Sequence, residues 1–151
     1  MKITKLISLI LVIVCLGAVV LGTVSCGDSY ESTGWHEDTD KTKKSAAYES
    51  FTGQKLYAFE VKDPIAINIK IATASGEFYA EIYAKDVPSA PIFTVNVAKT
   101  EGGTTAIVNA KTDAPIALAG DFTDTVSIAT PGDYIIRVNG AAHNGSFLFD
   151  W

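Results

Sequence analysis

From Ala46 onward the sequence predicts an all-β fold, an antiparallel β-sandwich or jelly roll of roughly eight strands. Three observations predict it. Apolar residues recur at every second position over most of the segment, the period of a strand with one buried face. Turn-forming residues punctuate these runs at short intervals. No segment after Ala46 shows a 3.6-residue apolar period, so no substantial helix is expected there.

The runs follow in order. Tyr57, Phe59 and Val61 mark the first, and Ile65, Ile67, Ile69 and Ile71 alternate with Ala66, Asn68 and Lys70 in the second. After Thr73-Ala74-Ser75-Gly76 comes a third, with Phe78, Ala80 and Ile82 on one face and Tyr79, Glu81 and Tyr83 on the other. The second and third read as an antiparallel pair joined by a short Gly-containing turn. Alternation recurs at Phe93/Val95/Val97, Ala106/Val108/Ala110, Val126/Ile128, Tyr134/Ile136/Val138 and Phe147/Phe149/Trp151, and a short Ile116/Leu118 run adds another. Phe149 and Trp151 are expected to close the core. Asp63-Pro64, Pro88-Ser89-Ala90-Pro91, Glu101-Gly102-Gly103, Asp113-Ala114-Pro115, Pro131-Gly132-Asp133 and Asn144-Gly145 separate the runs. Proline presets φ, and Gly and Asn tolerate positive φ, so these are loop signals with a backbone cause.

Ahead of this domain lie two segments of different character. Residues 1–25 begin with basic Met1-Lys2-Ile3-Thr4-Lys5 and continue into an uncharged apolar run from Leu6 to Val24. This is an export signal, expected as an apolar helix, and it ends at Ser25-Cys26-Gly27-Asp28. Residues 26–45 are polar and mixed in charge, without periodicity, and read as a flexible tether. Trp35-His36-Glu37-Asp38 within it is read as a solvated stretch, because His36 has no partner at ligand spacing. The domain proper is residues 46–151.

The start of the chain resembles a bacterial lipoprotein signal, with small residues around a cysteine that is lipidated and becomes the new N-terminus. Thr23 stands where that family prefers Leu. The resemblance implies a diacylglycerol thioether and an N-acyl chain on Cys26, and two or more chains hold a protein stably at a membrane. An uncleaved anchor helix and simple secretion are the rival readings, since the apolar run approaches the length that spans a bilayer. All three place the domain outside the cytoplasm.

The 151-residue chain has a net charge of -5. Loss of residues 1–25 removes Lys2 and Lys5 and no acid, leaving 10 basic and 17 acidic groups, a net of -7. So acidic a domain, with Arg137 its only arginine, lacks the electrostatic footprint for nucleic acid or for anionic lipid headgroups. Cys15 leaves with the signal and Cys26 is consumed by lipid, so no thiol remains for a disulfide. Stability is expected from an ordinary hydrophobic core.

The stretch from Thr130 through Gly140, with Gly132, Tyr134, Val138 and Gly140 in a Gly-x-Tyr-x-x-x-Val-x-Gly pattern, resembles the end of the bacterial pre-peptidase C-terminal domain. Asn144-Gly-Ser-Phe-Leu-Phe149 and the Tyr57-x-Phe59 strand add to the likeness, which covers most of residues 51–151. That family is a small jelly-roll sandwich, typically non-catalytic, serving in adhesion, substrate targeting or support of a neighbouring domain. The acidic residues that often precede its Tyr-x-Phe strand are replaced here by Gln54 and Lys55, which argues against the calcium binding some members show.

No catalytic constellation is expected. His143 is the domain's single histidine and reads as an exposed residue of a Gly140–Gly145 loop. Asp113, Asp121, Asp124 and Asp133 sit in or beside turns, where Asp bonds its own backbone. Opposed carboxylates for glycoside hydrolysis, and calcium ligation at Asp121-Phe122-Thr123-Asp124, are the weaker readings of them. No Cys/His cluster supports zinc, and neither a metal nor another cofactor is expected. The candidate ligand-binding residues are Tyr79, Tyr83 and Glu81. With Phe78, Ala80 and Ile82 in the core, both tyrosines project outward around Glu81, a flat aromatic surface on which sugar rings stack. The expected role is therefore a surface-anchored, non-enzymatic β-sandwich module for binding or adhesion. The alternatives are a carbohydrate-binding lipoprotein and a structural subunit of an envelope assembly, so the expected partners are the membrane through Cys26 and a glycan or an envelope protein.

Overall fold

The computed structural model describes residues 27–109 and 115–151. Cys15, Cys26, the apolar run and Asp113 lie outside the described residues. Among the described residues the chain is all-β and antiparallel, with nine strands: β1 (Ser29–Thr33), β2 (His36–Thr39), β3 (Lys43–Val61), β4 (Ile65–Ala84), β5 (Phe93–Thr100), β6 (Gly103–Val108), β7 (Ile116–Leu118), β8 (Phe122–Ile128) and β9 (Gly132–Asp150).

Three long strands, β3, β9 and β4, lie side by side with β9 in the middle. Each bends at its centre. The β3–β9 register shifts between Tyr48, Phe51 and Gly53, and the β4–β9 register shifts between Thr73, Ser75 and Glu77. Such bulges turn a strand sharply and let one sheet fold across itself. The first half then carries β2 and β8 on its outer strands, and the second carries β1 on one side and β5, β6 and β7 on the other.

The inward faces of the two halves meet. Phe147, from the first, lies 5.9 Å from the ring of Tyr57 and 5.5 Å from that of Phe78, both from the second. Phe51, Phe78, Phe93, Phe147 and Phe149 are fully buried among Ile67, Ile71, Ile82, Ile136, Val95 and Val97. Each such side chain contributes roughly 1.5–3 kcal/mol of burial, enough for a core without disulfides. Phe149 is in that core, whereas Trp151 is half-buried and packs on Phe59 with centroids 4.7 Å apart.

The crease accounts for two departures from the sequence reading. Ile65–Ile71 and Phe78–Tyr83 are not a hairpin pair but two arms of the single strand β4, and Thr73–Gly76 is the bend between them. Likewise Gly140–Gly145 is the bend of β9 rather than a loop. Backbones approach so closely here that side chains must be absent: a Cβ on Gly140 would stand 2.4 Å from a ring carbon of Phe51 and 2.5 Å from its carbonyl oxygen. Gly76 has φ +75° and faces the Ala142 carbonyl, a position that favours glycine on both counts.

The flexible tether is a third correction. β1 pairs with the second arm of β3 and β2 with the first, from Ser29↔Gln54 through Thr39↔Lys44. Trp35, read as solvated, stacks on Tyr48 at 5.0 Å and 7° and also faces Phe51 and Phe147. Polar composition misled because edge strands carry polar residues on their open face, and one aromatic anchor suffices to dock a short ribbon. The folded unit therefore begins near Ser29, not at Ala46.

Candidate functional site

The outer face of the second half carries the densest chemistry of the described residues. On β4, Phe78, Ala80 and Ile82 point into the core and Tyr79, Glu81 and Tyr83 point away, as the alternation requires. β9 lies beside this face and brings Arg137 directly opposite Glu81 and Asn139 opposite Tyr79. β5 brings Thr94 opposite Glu81 and Asn96 opposite Tyr79 on the other side. One further strand out, Gln54 on β3 faces Asn139. The pleat thus aligns a row Gln54–Asn139–Tyr79–Asn96 beside a row Arg137–Glu81–Thr94.

Glu81 is the centre of this arrangement. One carboxylate oxygen lies 2.8 Å from Arg137 Nη1, and the other accepts a hydrogen bond from the Tyr79 hydroxyl at 2.8 Å. Arg137 Nη2 donates to the Tyr83 hydroxyl at 3.0 Å, and the guanidinium carbon stands 4.9 Å from the Tyr83 ring centroid. Burial and the Glu81 carboxylate push the Tyr79 hydroxyl up to about 12, so it remains a proton donor at neutral pH. A charge removed from water is held only if it is paired and hydrogen-bonded, and Glu81 is both. The Nε of Arg137 and the Oδ1 of Asn96 are buried without a partner.

This geometry corrects the expectation of a tyrosine platform. Tyr83 is 4% exposed and Glu81 6%, while Tyr79 is half-buried. The two tyrosines do not present a shared flat surface, because Arg137 covers one ring and Glu81 ties down the hydroxyl of the other. The sequence reading singled out the three β4 residues but missed Arg137, Asn139 and Asn96. The signal for Arg137 was its being the chain's single arginine; the amides give none until the register is known.

His143 departs most from its expected place. It is fully buried in the crease, with Nδ1 2.9 Å from the Tyr48 hydroxyl and Nε2 3.0 Å from Thr73 Oγ1. Its ring lies 5.1 Å from that of Phe78. A neutral imidazole offers one donor and one acceptor, which two hydroxyls satisfy completely. Burial lowers its pKa to about 4. The Gly-Ala-Ala-His-Asn-Gly run looks like a loop because bulges use the same small residues.

The aspartates are dispersed. Asp121 pairs with Lys70 at 3.2 Å, Asp133 with Lys85 at 3.9 Å, and Asp124 accepts from the Thr125 backbone N–H at 2.7 Å. Among the described residues no group of three or more His, Cys, Asp or Glu is placed to hold a metal ion. Elsewhere, a groove of about 900 Å³ opens beside Phe59, Ile65 and Trp151, rimmed by Lys44, Lys62 and Asp63 among others.

Neither a scan against protein-family models nor a search of curated proteins gave a match. Among solved structures, the chain is similar to the pre-peptidase C-terminal domain of a collagenase from Bacillus anthracis, at 12% identity and a TM-score of 0.43, over 73% of this chain and 87% of that one. At that score the likeness bears on none of the residue assignments above.

Proposed function

We propose that this chain is a non-catalytic β-sandwich binding module, held outside the cytoplasm by a lipid on Cys26. The observation that carries the binding reading is the outer face of the second half. It locks an ion pair between the buried Glu81 and the half-buried Arg137, flanked by two tyrosine hydroxyls, and sets amides in a row beside it. Locked polar groups recognise a ligand at little ordering cost. The burial of His143 supports the non-catalytic part, because its ring nitrogens face Tyr48 and Thr73 rather than solvent.

A glycan is the ligand class that the amide row favours. Asn139 and Asn96, two strands apart with Tyr79 between them, and the side-chain carbonyl of Gln54, whose Nε2 is taken by the Gly27 carbonyl, supply donors and acceptors along this row, as the hydroxyls of a sugar chain require. Stacking on paired tyrosines is not part of this reading. The alternative, a structural subunit, would use exposed apolar surface; the large apolar side chains exposed among the described residues are Val87 and Ile92, between β4 and β5, and Ile116 on β7.

Retention of the whole protein on immobilised envelope polysaccharides is the test. The expected result is binding, with the polysaccharide recovered unchanged, that is lost in an Asn96→Ala/Asn139→Ala variant of near-unaltered melting temperature. Turnover of the polysaccharide, or binding indifferent to the double substitution, would overturn the reading.

A further inference from the structure

The residues just after Cys26 are fastened to the sheet. Gln54 Nε2 donates to the Gly27 carbonyl at 3.0 Å, and the Leu56 N–H donates to Asp28 Oδ1 at 2.9 Å. Lys55 reinforces the fastening, 3.3 Å from Asp28 and 3.6 Å from Glu37, with its ammonium 5.2 Å and 5.3 Å from the rings of Tyr30 and Tyr57. Strand pairing begins at the next residue, Ser29↔Gln54.

This leaves almost no slack behind an anchor. Adjacent Cα atoms are about 3.8 Å apart, so a lipid on Cys26 hangs one residue from a carbonyl bonded to β3. A flexible 20-residue tether would instead have a root-mean-square reach of about 25 Å. Resting on the lipid-anchor reading, we propose that the module stands directly on the phospholipid surface on its β1–β3 edge, instead of being held off it. The partner for this edge is the bilayer that receives the acyl chains of Cys26. The Asp28 carboxylate at the contact is paired with Lys55, which lowers repulsion from anionic headgroups. Sheet order then sets the orientation. β7 lies five strands from β3, about 24 Å at the usual spacing, and points away from the membrane. The Gln54–Asn139–Tyr79–Asn96 row rises from the headgroups outward.

The orientation is testable with the acylated protein, purified from a bacterial membrane and placed in vesicles containing a nickel-chelating lipid as a fluorescence quencher. Ala58 on β3 and Ala117 on β7 are both exposed, and Ala58→Cys and Ala117→Cys variants each take a single fluorescent label. The label at 58 is expected to be quenched several-fold more than that at 117. Inserting a 20-residue Gly/Ser segment between Gly27 and Asp28 is expected to remove the difference. Equal quenching at both sites in acylated protein, or a difference that survives the insertion, overturns the proposal while leaving the anchor intact. An intact mass with no acyl group on residue 26, and no flotation with vesicles, overturns the anchor reading and the proposal with it.

Discussion

His143 makes a stability prediction whose size can be worked from its surroundings. In the unfolded chain an imidazole titrates near pH 6.5. In the fold, burial lowers it to about 4, because both ring nitrogens face hydroxyls and no carboxylate is among its ring contacts. Between those values the unfolded state binds the proton and the native state does not. Stability therefore rises with pH through this window and falls as the solution is acidified. A gap of about 2.5 pH units at 1.36 kcal/mol each is about 3 kcal/mol, lost between roughly pH 6.5 and 4 and constant below. That is a large share of the ~5–15 kcal/mol that stabilises a domain. The assay is urea unfolding followed by tryptophan fluorescence, since Trp35 sits in the aromatic cluster beside Tyr48. Carboxylates also titrate in acid, so the protein is compared with a His143→Gln variant, whose amide can bond both hydroxyls without charging. At pH 7 the variant is expected to be less stable by about 1–2 kcal/mol; near pH 4 it should equal or exceed the natural protein. Parallel stability curves for the two proteins from pH 7 to 4 would refute the assignment of a buried, neutral histidine.

Other substitutions test other parts of the fold. Gly140→Ala pushes a methyl against the Phe51 carbonyl as well as its ring, so relief requires backbone movement. A loss of about 1–3 kcal/mol is expected in thermal or urea unfolding. Trp35→Ala should free the β1–β2 ribbon, seen as faster amide exchange across residues 29–39 and a loss below the ~3–5 kcal/mol of a fully buried aromatic. Arg137→Met strands the Glu81 carboxylate and should cost toward the lower end of about 3–5 kcal/mol, since the guanidinium side chain is 31% exposed. Adding Glu81→Leu to that variant should recover most of the loss, and failure to recover would mean that the pair is not the source of the cost. Ending the chain at Leu148 removes Phe149, fully buried, and the Phe59–Trp151 contact; a melting temperature within a degree or two of the natural protein would contradict their place in the core.

Strand content was legible because a half-buried strand writes its period directly into sequence: Ile67, Ile69 and Ile71, or Tyr134, Ile136 and Val138, can satisfy no other regular structure. Connectivity was not legible, because a hairpin turn and a crease draw on the same residues. Thr73–Gly76 and Gly140–Gly145 look like turns since glycine and small polar residues permit close backbone approach in both settings; only the pairing of β9 with both arms of β4 and β3 distinguishes them. That one ambiguity propagated into the site. Reading the bend of β9 as a loop placed His143 in solvent, whereas the bend carries it inward between Tyr48 and Thr73. Without the pairing of β9 along β4, alternation gave no reason to set Arg137 against Glu81, a contact made where the first arm of β9 pairs with the second arm of β4. The outward direction of Tyr79, Glu81 and Tyr83 followed from alternation alone and holds. Their exposure did not follow, because alternation assigns a face and leaves open what the neighbouring strand lays over it. The residues after Cys26 show the same limit from the other side. Composition marks residues 26–45 as soluble and polar, but whether such a segment swings free depends on long-range partners, here Gln54, Lys55 and Leu56 holding Gly27 and Asp28.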